Sequence, residues 1–303
     1  MKAAQFSTFG PPSVLALVDA PLPNPGEGEV RIRVRAAGVN ASDCAKRRGE
    51  MGGGLPQRLG YEAAGVVDAL GAGIDPSELG RRVYGFTSDA GAQAEYAVLS
   101  VWARIPASLS FVQAAAIPSA LETAWRALDA LRVCAGDTLL INGASGSVGA
   151  AAVQLALARR ARVLGTASPG THGYLRGLGA EPVAYGDGLE ARIAAALGGG
   201  AVTKALDAAG NGVLPLLVRV VGDVGGVLTV ADYPGAQATG VRFSRGDDGR
   251  ALHALSEVAP LVEAGRFGVR VGLTFPLGEV RRAHEAAEAG ARGKLVLVVD
   301  GED

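Results

Sequence analysis

The chain has 303 residues, 49% of them hydrophobic, enough for two domains and a large buried core. Its formal net charge of −1, from 29 Lys+Arg against 30 Asp+Glu, argues against nucleic acid as a partner. No secretory leader pattern opens it, and its most apolar helical run, residues 213–221, is too short for a bilayer and carries Arg219; no membrane association and a cytoplasmic location are therefore expected.

Residues 30–36, VRIRVRA, alternate apolar and basic and predict a strand with one polar face. Lys46-Arg47-Arg48 reads as a solvated helix or loop face. Residues 59–70 predict a second strand, and 83–86 and 94–99 two shorter ones. Gly and Pro punctuate this β-rich half, a texture that fits a small irregular barrel. From Val112 the texture changes, with a helix expected around 114–131 and an alternating αβ region after it. Strands are expected there at 138–141, 162–166, 182–184, 205–207 and 226–230, with helices at 148–159, 171–178, 189–197 and 213–221. This is a doubly wound α/β layout. A polar loop at 244–250 precedes an expected helix at 251–264, a strand at 273–275, a helix at 277–289 and a final strand at 294–299.

The chemistry concentrates in residues 136–168, GDTLLINGASGSVGAAAVQLALARRARVLGTAS: strand, Gly-rich turn, helix, strand. The turn reads Ala144-x-Gly146-x-x-Gly149, with Ala in place of the first Gly of the usual dinucleotide fingerprint. Residues without bulk let the backbone approach a pyrophosphate, and the free N–H groups of a helix start favour negative charge. An NAD site usually ends the second strand with a carboxylate on the adenosine ribose. Here Ser168, Pro169, Gly170, Thr171 and His172 follow instead, which favours NADP, although no Arg or Lys comes immediately after Ser168 to pair with the phosphate. Ser168 also reads as an ordinary strand-ending turn, and His172 as the start of the next helix. Cys44 and Cys134 lie far apart without ligand spacing, so no metal site is expected, and Cys134 reads as a small apolar residue.

The chain resembles the medium-chain dehydrogenase/reductase superfamily, within its zinc-free quinone reductase branch. The resemblance runs nearly end to end through RVRAAGVNASD (33–43), LGYEAAGVV (59–67), GAQAEYAVL (91–99), IPSALETAWRAL (117–128), INGASGSVG (141–149), LRGLGAEPVAY (175–185), TFPLGEVRRAHE (274–285) and GKLVLVV (293–299). It implies a GroES-like β-barrel catalytic domain from residues 1–113 plus 251–303, a Rossmann domain inserted as 114–250, and an active site in the cleft between them. Zinc alcohol dehydrogenases of the superfamily hold zinc with Cys, His and Cys. The matching positions look like Asn40, Tyr61 and roughly Ser119, which cannot replace two thiolates and an imidazole.

What the resemblance implies is an NADPH-dependent reductase delivering hydride to a small-molecule quinone or enone, whose conjugation carries the charge onto oxygen. Asn40 would place an amide near the nicotinamide, or else stabilise a local turn. Tyr61 would donate a proton, or else pack as an aromatic wall. Asp43 and Glu62 would bond local backbone or a nearby Arg. Thr123 would lie beside the nicotinamide, Ala209, Val230 and Ala231 along its ribose, and Gly146, Ser147 and Val148 at the pyrophosphate, within the turn from Ala144 to Gly149. Ser168 and Tyr185 would face the 2′-phosphate, next to Thr171 and His172. GTASPG (165–170) is also similar to polyketide synthase enoyl reductase modules, which carry Lys where Thr171 stands. A stand-alone enoyl reductase of polyketide or lipid biosynthesis is the alternative enzyme, and a non-catalytic NADPH-binding sensor the alternative from another class. A homodimer through the edge of the Rossmann sheet is expected from the same resemblance.

Overall fold

The computed structural model describes residues 1–247 and 249–299. Its strands are β1 (Lys2–Phe6), β2 (Ala16–Asp19), β3 (Val30–Val39), β4 (Gln57–Arg58), β5 (Glu62–Leu70), β6 (Arg82–Thr87), β7 (Tyr96–Arg104), β8 (Thr138–Asn142), β9 (Arg162–Ala167), β10 (Glu181–Ala184), β11 (Lys204–Asp207), β12 (Val227–Thr229), β13 (Arg242–Phe243), β14 (Val271–Pro276) and β15 (Lys294–Val298). The helices are α1 (Ala41–Arg48), α2 (Phe111–Ala115), α3 (Pro118–Ala130), α4 (Ser147–Ala158), α5 (His172–Leu178), α6 (Leu189–Leu197), α7 (Leu214–Val221), α8 (Tyr233–Thr239), α9 (Ala254–Glu257), α10 (Ala259–Glu263) and α11 (Val280–Glu288). Among the described residues, no helix is long and apolar enough to cross a membrane. The chain divides into two compact units, residues 1–119 with those from 255 onward, and residues 120–254.

In the first unit, six strands run in the order β14-β15-β3-β5-β6-β7, and β7 pairs back onto β3. The first half of β3 therefore bonds β7 while its second half bonds β15, so β3, β5, β6 and β7 form a closed ring. Val30, Ile32 and Val34 fill the ring, and the intervening arginines turn outward as the alternation predicts. At the far end of β3, Gly38 is required by proximity: a Cβ there would lie 2.3 Å from Glu62 Oε1. The predicted strand at 59–70 begins later, at Glu62, because Gly60 turns the chain at φ +97°.

The second unit is an all-parallel sheet in the order β10-β9-β8-β11-β12-β13. Counted from β8 as the first strand, this is the 3-2-1-4-5-6 order of a dinucleotide-binding sheet, whose switch point lies between β8 and β11. Leu140, Leu164, Val183, Ala205 and Val227 of the sheet pack against Leu189 and Ile193 of α6 and Leu214 and Leu217 of α7.

Several expectations require correction. The helix expected at 114–131 is two helices, α2 and α3, since Pro118 pushes the preceding residue out of helical conformation. That expected at 251–264 divides likewise into α9 and α10. Cys134 is exposed rather than packed as an apolar residue. The basic trio is a solvated face only in part: Arg48 is exposed, whereas Arg47 is fully buried, bonded to the Gly10 carbonyl and paired with Glu288 of α11.

Beside that ion pair, Cys44 Sγ lies 3.6 Å from His284 Nδ1, and His284 Nε2 lies 3.4 Å from Gln93 Oε1. The amide oxygen only accepts, so Nε2 carries the proton and Nδ1 accepts from the thiol. Burial, helped by the Arg47 charge, lowers the His284 pKa to about 4. Its neutral form is favoured in the fold, so the stability it confers is complete above pH 6.5 and is lost as pH falls toward 4. The loss amounts to about 3 kcal/mol at about 1.4 kcal/mol per unit. Urea unfolding from pH 7 to 4 is expected to show a shallower acid loss in His284→Gln than in the parent; equal slopes would contradict this.

Candidate functional site

In the first unit the site is built on the end of β3, the start of α1 and the start of β5. Asn40 precedes α1, and its backbone N–H donates to Asp43 Oδ2 at 2.8 Å. Asp43 Oδ1 accepts the Gly60 N–H at 2.9 Å, so one buried carboxylate ties the helix start to the Gly60 turn. Burial pushes the Asp43 carboxyl up to about 6 against these two donors.

The Asn40 side chain enters a buried charge cluster. Its Nδ2 donates to Glu62 Oε1 at 2.8 Å, and Lys294 Nζ donates both to Asn40 Oδ1 and to Glu62 Oε1. The other Glu62 oxygen accepts the Ser119 backbone N–H at 2.6 Å. The Glu62 and Lys294 side chains are 0% and 4% exposed, so neither charge is met by water and each requires the other. This contact fixes the Asn40 amide with its oxygen toward the ammonium and its nitrogen toward the carboxylate. Asn40 also stabilises the local turn, as the N-cap of α1 in a capping box with Asp43. Glu62 pairs with Lys rather than the expected Arg, whereas Asp43 does bond local backbone.

Tyr61 points elsewhere. Its hydroxyl lies 3.9 Å from Met51 Sδ, and the Lys46 ammonium sits 5.7 Å from its ring centroid. Burial, then the Asp43 charge, raises its pKa, which keeps the phenol protonated. Asn40, Tyr61 and Ser119 thus supply an amide, a phenol and a backbone N–H, and an ammonium already neutralises Glu62. Among the described residues no group of three His, Cys, Asp or Glu side chains could hold a metal ion. The donor set does not fit zinc.

In the second unit the β8–α4 turn distributes its small residues by purpose. Gly146 caps α4 in extended conformation, and a Cβ there would meet only Gly143 O, at 3.4 Å. A Cβ on Gly149 would lie 2.2 Å from that same oxygen and 2.8 Å from Ala144 Cα. Gly149 is therefore needed by the packing of the helix on the turn, while the space over Gly146 is left by the protein for something else. No side chain caps the helix, so the N–H groups of Ser147 and Val148 lie in an uncapped first turn. Ala144 is buried beneath, bonding the Thr166 carbonyl at 3.1 Å.

At the end of β9, Thr171 is buried and its hydroxyl donates to Ser168 O at 2.9 Å, so that donor is spent locally. Ser168 Oγ lies 3.4 Å from Thr171 Oγ1. His172 Nε2 lies 3.2 Å from the Ala167 carbonyl, which assigns the proton to Nε2 and leaves Nδ1 as an acceptor. Tyr185 is 61% exposed on a loop that Arg192 fixes by donating to the carbonyls of Ala184, Tyr185, Gly186 and Asp187. Thr123 lies on α3, its hydroxyl 3.5 Å from Glu122 Oε2.

The turns after β11 and β12 carry Ala209, Val230 and Ala231, and a buried polar chain across the strand ends sets them. Thr166 donates to Asn142 Oδ1 at 2.7 Å, and Asn142 Nδ2 donates to Asp207 Oδ1 at 2.8 Å. Thr229 donates to Asp207 Oδ2 at 2.7 Å. The Ala209 N–H bonds Asp207 Oδ1 at 3.1 Å, and the Ala231 N–H bonds Thr229 Oγ1 at 3.1 Å. Sequence reasoning missed Lys294, Arg192 and this chain. The available signal was a single polar residue closing each apolar strand: Asn142, Asp207 and Thr229.

A closed β-ring unit combined with a 3-2-1-4-5-6 parallel sheet and this glycine turn defines a nicotinamide-dinucleotide dehydrogenase architecture. Residues 26–108 match the alcohol dehydrogenase GroES-like domain, and residues 178–297 match the zinc-binding dehydrogenase family. The chain belongs to the medium-chain dehydrogenase/reductase superfamily. The quinone oxidoreductase from Coxiella burnetii is 31% identical, with a TM-score of 0.84 and 99% of each chain covered. A mycobacterial structure complexed with NADPH is 25% identical, with a TM-score of 0.81 over 99% of this chain and 100% of the other. The pikromycin polyketide synthase component PikAII of Streptomyces venezuelae is 33% identical over 265 residues, 80% of this chain. This chain spans only 7% of that synthase.

Proposed function

We propose that the chain is an NADPH-dependent reductase that delivers hydride, without zinc, to a quinone or other conjugated carbonyl. The observation that carries this reading is the Asn40–Glu62–Lys294 cluster, whose Asn40 stands, by the family resemblance, at one of the positions where the zinc enzymes keep a metal ligand. The cofactor's reduced nicotinamide supplies a hydride. Gly146, Ser147 and Val148 would hold its pyrophosphate and Ala209, Val230 and Ala231 its nicotinamide ribose. Ser168 and Tyr185 would receive the 2′-phosphate, at a strand end without a carboxylate to repel it, whereas His172 has already given its Nε2 proton to the Ala167 carbonyl and keeps no donor for it. Thr171, its hydroxyl already committed to Ser168 O, contributes shape rather than a donor. The NADPH bound by the mycobacterial relative supports this preference.

In the acceptor, charge develops on the carbonyl oxygen as the conjugated carbon is reduced. Asn40 has one N–H committed to Glu62 and its oxygen committed to Lys294, leaving its second N–H to stabilise that oxygen. Tyr61 holds a proton for the product. Absorbance loss of NADPH, with NADH beside it, is measured against quinones, enones, enoyl thioesters and simple alcohols. The expected result is turnover with the conjugated acceptors and about tenfold or greater preference for NADPH, the equivalent of one charge-assisted contact. Preference for NADH, or turnover of simple alcohols only, would overturn the reading.

The similarity to the polyketide synthase favours a second reading, a stand-alone enoyl reductase. Reduction of one enoyl thioester with fixed product stereochemistry, with slow quinone turnover, would select it.

A further inference from the structure

We infer that Asp207 is a positioning residue for the nicotinamide half of the cofactor, the common acceptor that sets the turns after two neighbouring strands. The inference rests on the reading that this unit binds a nicotinamide dinucleotide. Asp207 is fully buried at the end of β11, next to the switch point of the sheet. Its Oδ1 accepts Asn142 Nδ2 at 2.8 Å, the Ala209 N–H at 3.1 Å and the Gly210 N–H at 2.8 Å. Its Oδ2 accepts the Thr229 hydroxyl at 2.7 Å.

All four partners are donors, so an acceptor-only carboxylate satisfies every one of them and no neutral side chain of that shape does. The direction of each proton follows. Because the Thr229 hydrogen points at Asp207, its oxygen is free to accept the N–H groups of Ala231 at 3.1 Å and Asp232 at 3.0 Å. One carboxylate thus holds the 209–210 turn directly and the 231–232 turn through Thr229. The turn after β8 is held by Thr166, whose oxygen accepts the Gly143 N–H at 3.1 Å and which meets Asp207 only through Asn142, while Ser168 and Tyr185, at the adenosine end, make no contact with Asp207.

Asp207→Asn keeps the shape and introduces an amide nitrogen among donors. Its oxygen is retained on the side where three donors converge, which turns the new N–H₂ toward Thr229. The Thr229 hydrogen is then displaced toward the 231–232 N–H groups, and that turn loses its acceptor. Thr229→Val removes the same acceptor without touching Asp207.

The test measures dissociation constants for NADPH and for 2′,5′-ADP, which carries only the adenosine half, together with thermal unfolding midpoints. Both variants are expected to weaken NADPH about tenfold or more, the loss of one charge-assisted hydrogen bond, while 2′,5′-ADP changes less than about twofold. Equal weakening of both ligands marks a general structural defect and overturns the inference, as does unchanged NADPH affinity. If Asp207→Asn does not fold, Thr229→Val decides by the same comparison. A parent protein that binds neither ligand overturns the dinucleotide reading, and the inference with it, before any variant is compared.

Discussion

A Gly146→Val variant is expected to lose NADPH affinity by about 100-fold or more while unfolding within a few degrees of the parent. The protein itself has room for the new side chain. The backbone at Gly146 is extended (φ −74°, ψ 171°), a conformation that valine adopts readily, and its Cβ would meet only the Gly143 carbonyl, at 3.4 Å. The branched side chain instead fills the approach to the uncapped N–H groups of α4 and keeps a pyrophosphate away from them. A displacement that removes two backbone contacts to an anion costs about 3 kcal/mol, which is the 100-fold. Gly149→Ala, three residues on, is expected to behave in the opposite way. Its Cβ would press on Gly143 O at 2.2 Å, so the fold should lose about 1–3 kcal/mol from overpacking. Fluorescence titration of NADPH and thermal unfolding followed by circular dichroism measure both. Unchanged affinity in Gly146→Val would remove the cofactor from this turn.

Lys294→Met is expected to be the most destabilising single change in the first unit, by about 3–5 kcal/mol, because it leaves the fully buried Glu62 carboxylate without a cation. Combining it with Glu62→Gln removes both charges and keeps an acceptor for the Ser119 N–H, so most of the lost stability should return. Activity should not return with it. Without the ammonium on Oδ1 and the carboxylate on Nδ2, the Asn40 amide is no longer held in one orientation, and turnover is expected to fall about 10- to 100-fold at unchanged NADPH affinity. Urea unfolding and steady-state kinetics on the two single variants and the double variant separate these effects. A double variant with full activity would make the cluster a stability device only.

Local pattern made most of the sheet elements legible. β8, α4 and β9 stand close to where periodicity puts them, since strand, glycine turn and helix each depend on nearby residues. The sequence was less informative where backbone and tertiary pairing decide. Proline divides the helices near 117 and 258, and a left-handed Gly60 delays β5. The two-residue strands β4 and β13 exist only because a neighbour pairs with them. The same holds for the site. Asn40 and Glu62 were visible as motif residues, but Lys294, more than 230 positions from Glu62, joins them only when β15 pairs with β3. Arg47 was misread for a like reason: its partner Glu288 lies on α11, 241 residues away. The donors expected of Thr171 and His172 were assigned by residue type, and only the geometry of the 167–172 turn shows where their protons already go.

The most direct test of a zinc-free reductase is reduction of an enone or quinone by NADPH deuterated at nicotinamide C4, with the protein treated exhaustively with a zinc chelator beforehand. The account predicts that the rate survives chelation and that deuterium appears at the conjugated carbon of an enone product. Loss of turnover on chelation, restored by added zinc, would contradict it.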